Sequence, residues 1–121
     1  MAVRDLRERT FEFSRRIVAL CLELAKRPGV GRTLGNQVLR SGTSIGANVE
    51  EAQASQSRAD FTAKTSIVCK EAREAHYWLR LMAASSLIPV DRLEPFTAEC
   101  NELIAILTAI VKKIKEGAKK G

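Results

Sequence analysis

Residues 61–82, FTAKTSIVCKEAREAHYWLRLM, contain the clearest helical repeat in this chain of 121 residues. Small and apolar side chains recur in it every three or four positions, at Phe61, Thr65, Val68, Ala72, Ala75, Leu79 and Met82. An α-helix makes one turn every 3.6 residues, so these side chains fall on one face. The repeat therefore predicts a helix that buries one face along its whole length.

This helix, expected over residues 58–84, has two further surfaces. Ser57 is a favourable N-cap residue, and Asp60 follows it at the spacing of a capping box. The face opposite the apolar row carries Lys70, Arg73, Tyr77 and Arg80. Between the two faces lie Ile67, Glu71, Glu74 and Trp78. The helix is therefore expected to contact more than its own core.

Three further runs with heptad-like spacing predict three more helices. Their expected ranges are 3–27, 33–55 and 92–116. Pro28 and Gly29 break the chain after the first helix, and Pro95 fits only in the first turn of the last one. No segment has the pattern of a strand. Short breaks between four helices predict an all-α, antiparallel up-down-up-down four-helix bundle, formed as a single domain by residues 1–121.

Two adjacent apolar rows run along the first predicted helix. One contains Leu6, Thr10, Phe13, Ile17, Leu20 and Leu24, and the other contains Phe11, Ser14, Val18, Cys21 and Ala25. Apolar surface outside a bundle's own core usually marks an interaction site. We therefore expect subunit contacts at Phe11, Val18, Ile67, Trp78 and Leu81. The alternative is that both rows fill one wide intramolecular core.

Gly42 and Gly46 lie inside the second predicted helix, four residues apart. Each glycine costs about 1 kcal/mol relative to alanine in an exposed helix. The pair leaves a flat strip, so we expect another backbone to approach closely there.

The net charge of +6 is unevenly distributed. Five lysines against one glutamate give the tail at residues 112–121 a net charge of +4, which leaves +2 for the remainder of the chain. A basic tail indicates nucleic-acid binding less strongly than a basic folded surface does.

The residues that carry most enzymatic and metal chemistry are scarce. Cys21, Cys69 and Cys100 are too far apart for a zinc site of paired cysteines, and they are expected to be buried and reduced. His76 is the only histidine and lies outside any catalytic motif, so it is expected at the surface or an interface. Phosphate-binding glycine loops are absent. We therefore expect no enzyme, cofactor or metal.

Without a signal peptide or a membrane-length apolar run, the expected location is cytoplasmic, away from membranes.

The segment from Arg40 to Ala52, RSGTSIGANVEEA, resembles the signature of a bacterial four-helix-bundle family. The family is named after proteins encoded in intervening sequences of 23S ribosomal RNA genes. The matching positions are Gln37, Arg40, Ser44, Ile45, Ala47, Asn48 and Glu51. Residues 70–79 resemble the family's third-helix pattern, whereas Ala52 replaces its usual glycine, so the second helix is expected to continue further here.

The resemblance implies a four-helix protomer that assembles into a ring-like homopentamer. The family includes the accessory variability determinant of diversity-generating retroelements, a basic barrel that binds nucleic acid and a reverse transcriptase. Candidate partners are therefore further copies of this chain, RNA or DNA, and a protein such as a reverse transcriptase.

Polar residues of the two family motifs form a candidate network. Its members are Arg40, Ser44, Asn48, Glu51, Glu71 and Glu74. Buried carboxylates need partners, which arginines can supply. We expect the network to fix helix pairing or subunit register, and the alternative is a ligand site.

The basic line of the third helix is the candidate nucleic-acid surface. It comprises Lys70, Arg73, Tyr77 and Arg80, with added charge from Arg4, Arg7, Arg15 and Arg16. Repeated around an oligomer, these charges would contact phosphates, and Tyr77 would stack on an unpaired base. The leading hypothesis is therefore a non-catalytic homo-oligomer that binds nucleic acid or acts as an adaptor. The alternative is a purely structural interaction module whose basic residues only confer solubility.

Overall fold

Four helices form the chain in the computed structural model, which describes the backbone of residues 3–120 and the side chains of residues 5–117. They are α1 (Val3–Leu24), α2 (Val30–Gln53), α3 (Arg58–Ala84) and α4 (Val90–Lys120). The described backbone contains no strand. The predicted all-α fold of four helices is therefore confirmed.

Consecutive helices pack against each other in antiparallel pairs. Gly35 of α2 lies against Leu24 of α1, whereas Gly46 lies against Thr10, so the two helices run in opposite directions. The first and last helices also run in opposite directions, since Arg92 pairs with Glu23 whereas Glu99, further along α4, pairs with Arg9, nearer the start of α1. The polypeptide thus runs up and down around a single shared core.

The apolar rows face this core. In α3 every member of the predicted row is buried except Phe61, which is half-buried. All six residues of the first α1 row are buried, as are the three cysteines. The second α1 row is divided, because Cys21 lies in the core while Phe11 and Val18 are exposed. The two rows therefore do not both lie in one wide core.

Glycines bring α1 and α2 close together. A Cβ atom added at Gly42 would lie 3.1 Å from two side-chain carbons of Ile17, and one at Gly46 would lie 3.2 Å from the carbonyl oxygen of Thr10. The expected close backbone approach is confirmed, and the helix that approaches is α1 of the same chain.

Helix ends differ from the predicted ranges by up to four residues. The first helix ends at Leu24 instead of 27, because the next turn is closed by shorter-range bonds such as Arg27 N to the Leu24 oxygen (3.0 Å). The second begins at Val30, directly after Gly29, whose φ of 75° breaks the preceding chain. It ends at Gln53 instead of 55, so the expected continuation beyond Ala52 amounts to one residue.

The start of α4 corrects the interpretation of Pro95. The helix begins at Val90, so proline is its sixth residue and not part of the first turn. Arg92 N already donates to the Pro89 oxygen at 3.0 Å, which starts the helix early. Pro95 therefore leaves the Asp91 carbonyl without its usual helical donor. At the other end, α4 continues to Lys120 instead of 116.

The cap of α3 forms as predicted. Ser57 Oγ accepts a hydrogen bond from the Asp60 backbone N at 3.0 Å. The Asp60 carboxylate accepts from the Gln56 backbone N at 3.4 Å, one residue before the position expected for a capping box.

Over the described residues, no helix combines the length and apolar character that a membrane span requires.

Candidate nucleic-acid interface

The basic line of α3 is exposed to solvent. Lys70, Arg73, Tyr77 and Arg80 all lie on the outer surface, and half of Tyr77 is accessible. Within residues 5–117, none of the three basic side chains forms an ion pair. Their positive charges therefore remain available to an external anion.

A groove of about 510 Å³ extends this line toward α4. Arg73 lines one side, and Lys112 and Lys115 line the other, together with Glu116. The floor includes Cys69, whose Sγ lies 3.5 Å from Thr108 Oγ1. The antiparallel course of α3 and α4 thus joins part of the basic tail to the basic line. The tail and the line are separate in the sequence, and their proximity depends on tertiary packing.

Two of the candidate arginines of α1, unlike the basic residues of α3, already pair with carboxylates. Arg7 Nη2 donates to Glu50 Oε2 at 2.8 Å, and Arg15 forms two hydrogen bonds with Glu12, at 2.9 and 2.5 Å. These bonds raise the pKa of Arg15 and lower that of Glu12. Their charges are therefore largely balanced within the chain.

Arg16 lies over an aromatic ring. Its guanidinium carbon is 4.8 Å from the centre of the Phe96 ring in α4. This cation–π geometry holds the side chain against the bundle surface. The side chain of Arg4, also a candidate, lies outside the described residues.

The candidate polar network is divided into two parts. In the first, Arg40 of α2 pairs with both Glu71 and Glu74 of α3, and the Arg40–Glu71 distance is 3.5 Å. Glu74 also accepts a hydrogen bond from Trp78 Nε1 at 3.5 Å. The Tyr77 ring packs edge-on against Trp78, with centroids 5.0 Å apart. This part links α2 to the outer surface of α3.

The remaining three members do not join it. Ser44 donates to the Arg40 oxygen at 2.6 Å and Asn48 donates to the Ser44 oxygen at 2.8 Å, so each bonds one turn back on its own helix. Glu51 is exposed, and no ion pair involves it among side chains 5–117.

The candidate subunit surface contains an exposed apolar stripe on α1. Phe11 is 68% exposed and Val18 41% exposed, and Leu22, which the sequence analysis missed, is 66% exposed. Leu22 lies four positions after Val18, so the 4-residue spacing could have revealed it. On α3, Ile67 is exposed, while Trp78 and Leu81 are half-buried.

Two observations concern the residue types that most often carry enzymatic and metal chemistry. His76 is half-buried, and burial, together with the nearby charge of Arg80, lowers its pKa. Among the described residues, no group of His, Cys, Asp and Glu side chains is arranged to hold a metal ion.

Comparisons with known proteins identify the family but no activity. The sequence profile described as 23S rRNA-intervening sequence protein matches residues 5–109. Among solved structures, the chain is similar to a protein of unknown function from the S23 ribosomal protein family of Bacteroides thetaiotaomicron VPI-5482. The two chains are 39% identical, with a TM-score of 0.82, and the alignment covers 88% of this chain and 98% of the other. No curated protein matches significantly. The chain therefore belongs to the 23S rRNA-intervening sequence protein family.

Proposed function

We propose that the protein is a non-catalytic homo-oligomer that binds nucleic acid through the basic surface shared by α3 and α4. The main support is the shared groove, whose lining includes three cations, Arg73, Lys112 and Lys115, and a single carboxylate, Glu116. Phosphates would displace condensed counterions as they bind these cations, which makes such binding favourable and sensitive to salt.

The proposal includes no sequence-specific recognition. Recognition of base edges needs an element that enters a groove of the duplex with several polar side chains at its tip. The α3/α4 surface offers basic side chains along two packed helices and one exposed aromatic ring, Tyr77. Contacts to the phosphate backbone are the chemistry that this surface supports best.

Assembly of several copies is the second part of the proposal. Phe11, Val18 and Leu22 form an exposed apolar stripe on α1, and covering it with another copy would remove apolar surface from water. The family resemblance favours a ring of five. A ring would repeat the basic surface and strengthen the field that attracts a polyanion. An adaptor role beside a protein such as a reverse transcriptase would use the same assembled surface.

Equilibrium binding of labelled RNA and DNA at two salt concentrations tests the proposal. We expect tight binding at low salt that weakens steeply as salt is added. Replacing Arg73 and Arg80 together by glutamine should reduce the slope of log affinity against log salt by about 1.4 to 1.8, the value for two lost phosphate contacts. Absence of binding at low salt would overturn the proposal.

The matched control is the double substitution of Arg7 and Arg15 by glutamine. It removes the same formal charge, but from arginines that already pair with Glu50 and Glu12. We expect a much smaller change in the salt slope. Equal effects of the two double variants would show that net charge, and not the α3/α4 surface, governs binding.

A purely structural interaction module is the second candidate function. The exposure of Phe11 and Leu22, both about two-thirds accessible, favours it, because this apolar surface suits a protein contact better than a phosphate. Assembly without salt-dependent binding of any nucleic acid would support this candidate.

A further inference from the structure

Tyr77 is the exposed aromatic residue on the basic surface. It lies four residues after Arg73 and three before Arg80, so all three side chains are neighbours on α3. Its ring is half exposed, and neither arginine forms an ion pair within residues 5–117. An aromatic ring between two available cations is the arrangement in which single-stranded nucleic acids are held by base stacking and phosphate contacts.

Tyr77 is also held in place from behind. Its ring meets that of Trp78 at 75°, with centroids 5.0 Å apart. Trp78 packs against the core, and its indole Nε1 donates to Glu74 at 3.5 Å. Glu74 in turn pairs with Arg40 of α2. These four residues form a continuous chain of contacts from α2 to the exposed ring, which limits the orientations that the ring can adopt.

The geometry points to Tyr77 as a stacking platform for an unpaired base, with Arg73 and Arg80 binding the flanking phosphates, so that the protein prefers single-stranded to double-stranded nucleic acid. This inference rests on the proposed function and names its ligand class. In a duplex the base faces are hidden by stacking on one another, so a duplex can use only the phosphate contacts. A single strand can use both.

The same geometry gives Arg40 and Glu74 of the family motifs a role as positioning residues. Neither touches the proposed base. They act through Trp78: Glu74 accepts the hydrogen bond of its indole N–H, Arg40 pairs with Glu74, and the Trp78 ring supports Tyr77. Glu71 also pairs with Arg40, but it forms no hydrogen bond with Trp78 in the described part of the chain. Substituting each glutamate in turn therefore distinguishes two effects. Loss of either removes a partner of Arg40, but only loss of Glu74 also removes the hydrogen bond to Trp78, which packs against Tyr77.

The test compares oligothymidylate of about 12 nucleotides, within the range of single-strand site sizes, with an abasic strand of the same length. Both probes carry the same phosphates, so their ratio of affinities isolates stacking. We expect the base-bearing strand to bind about 5- to 150-fold more tightly. Tyr77→Ala should lower the affinity for the base-bearing strand to that for the abasic strand, whose own affinity should not change. Tyr77→Phe should preserve the ratio.

A spectroscopic signal can report the contact directly. Trp78 is the only tryptophan in the chain and adjoins Tyr77. Its emission should change when oligothymidylate binds and remain unchanged with the abasic strand. Equal changes with both probes would contradict stacking at this position.

A comparison of two glutamate substitutions on α3 tests the positioning role of Glu74. Glu74→Ala should lower the ratio of affinities for base-bearing and abasic strands, while Glu71→Ala should leave it unchanged. Both substitutions remove one negative charge from the same helix, so their effects on phosphate contacts should be similar. Equal ratios in the two variants would refute the positioning role.

The outcomes distinguish this inference from the proposed function. Absence of salt-dependent binding to any probe would overturn both. Equal affinity for base-bearing, abasic and duplex probes, unaffected by Tyr77→Ala, would overturn the inference and leave the proposed function standing. Dissociation of the oligomer by Tyr77→Ala in sedimentation would overturn the inference by showing that this surface is a subunit contact.

Discussion

The Arg9 guanidinium holds the carboxylate of Glu99 with two parallel hydrogen bonds, from Nε at 2.7 Å and from Nη2 at 2.6 Å, across 90 positions of sequence. Glu102 accepts a third bond from Nη2 at 2.7 Å. The hydrogen bond to Glu99 is the largest influence that raises the pKa of Arg9. Helices α1 and α4 approach each other less closely than consecutive helices do, and this fork-shaped contact joins them beside the Arg92–Glu23 ion pair and the packing of Arg16 on Phe96.

Replacing Glu99 by alanine should lower the free energy of unfolding by about 2 kcal/mol, because it removes two charge-assisted hydrogen bonds from a partly buried arginine. Glu102→Ala is the control. Its side chain is 68% exposed, and Arg9 keeps both bonds to Glu99, so we expect a loss below about 0.5 kcal/mol. Urea denaturation measures both values. A larger effect at Glu102 would show that the fork does not link the helices as described.

Gly46→Ala should destabilise the protein by about 1–3 kcal/mol despite alanine's higher helix propensity. The new Cβ would lie 3.1 Å from Ser14 Oγ and 3.2 Å from the Thr10 carbonyl oxygen, which belongs to the backbone of α1 and cannot easily move aside.

Gly117→Ala provides the opposite case on α4. Among the described residues, nothing outside its own stretch of helix lies within 4 Å of the added Cβ, so the propensity gain should raise the stability by up to about 1 kcal/mol. Thermal unfolding of the two variants compares them directly. If both are stabilised, then α1 and α2 can separate slightly at little cost.

Cys100 should make the stability fall between pH 8 and pH 10. Burial raises the pKa of this fully buried thiol to about 12, whereas the unfolded thiol titrates near 9. Above pH 9 the unfolded state releases a proton that the folded state retains, so unfolding becomes more favourable as pH rises. The resulting loss by pH 10 should be about 1 kcal/mol.

Urea denaturation of the wild type and Cys100→Ala at both pH values checks this expectation. The alanine variant has a constant cavity cost, but it should show a smaller fall in stability between the two pH values. Parallel declines in both proteins would assign the pH dependence to other groups.

Val18→Glu should dissociate the proposed oligomer, because it introduces a charge into the exposed apolar stripe of α1 without disturbing the core. Ala19→Glu is the matched control, since residue 19 is also exposed but points about 100° away around the same helix. Sedimentation velocity at micromolar concentration measures the mass of each. An intact oligomer with Val18→Glu would exclude the stripe from the subunit contact.

Much of the fold could be predicted, for a reason visible in α3. Its core row, from Thr65 to Met82, follows from the helical period, which depends only on neighbours along the chain. The predicted ends of helices were less accurate. Pro95 occupies a position inside α4 that helix propensity disfavours for proline, because the turn before it already has its own hydrogen bond, from Arg92 N to the Pro89 oxygen. The sequence also marked Gly42 and Gly46 as a place of close approach, without indicating which backbone approaches.

The candidate site divides in the same way. Sequence was sufficient to place Lys70, Arg73, Tyr77 and Arg80 on one outer face, since helical geometry is local. It could not separate available cations from occupied ones, because Arg7 finds Glu50 and Arg9 finds Glu99 only when distant helices pack side by side. The packing of α4 against α3 likewise brings lysines of the tail to Arg73. Periodicity is encoded within one helix, whereas the pairing of charges depends on how separate helices are oriented in space.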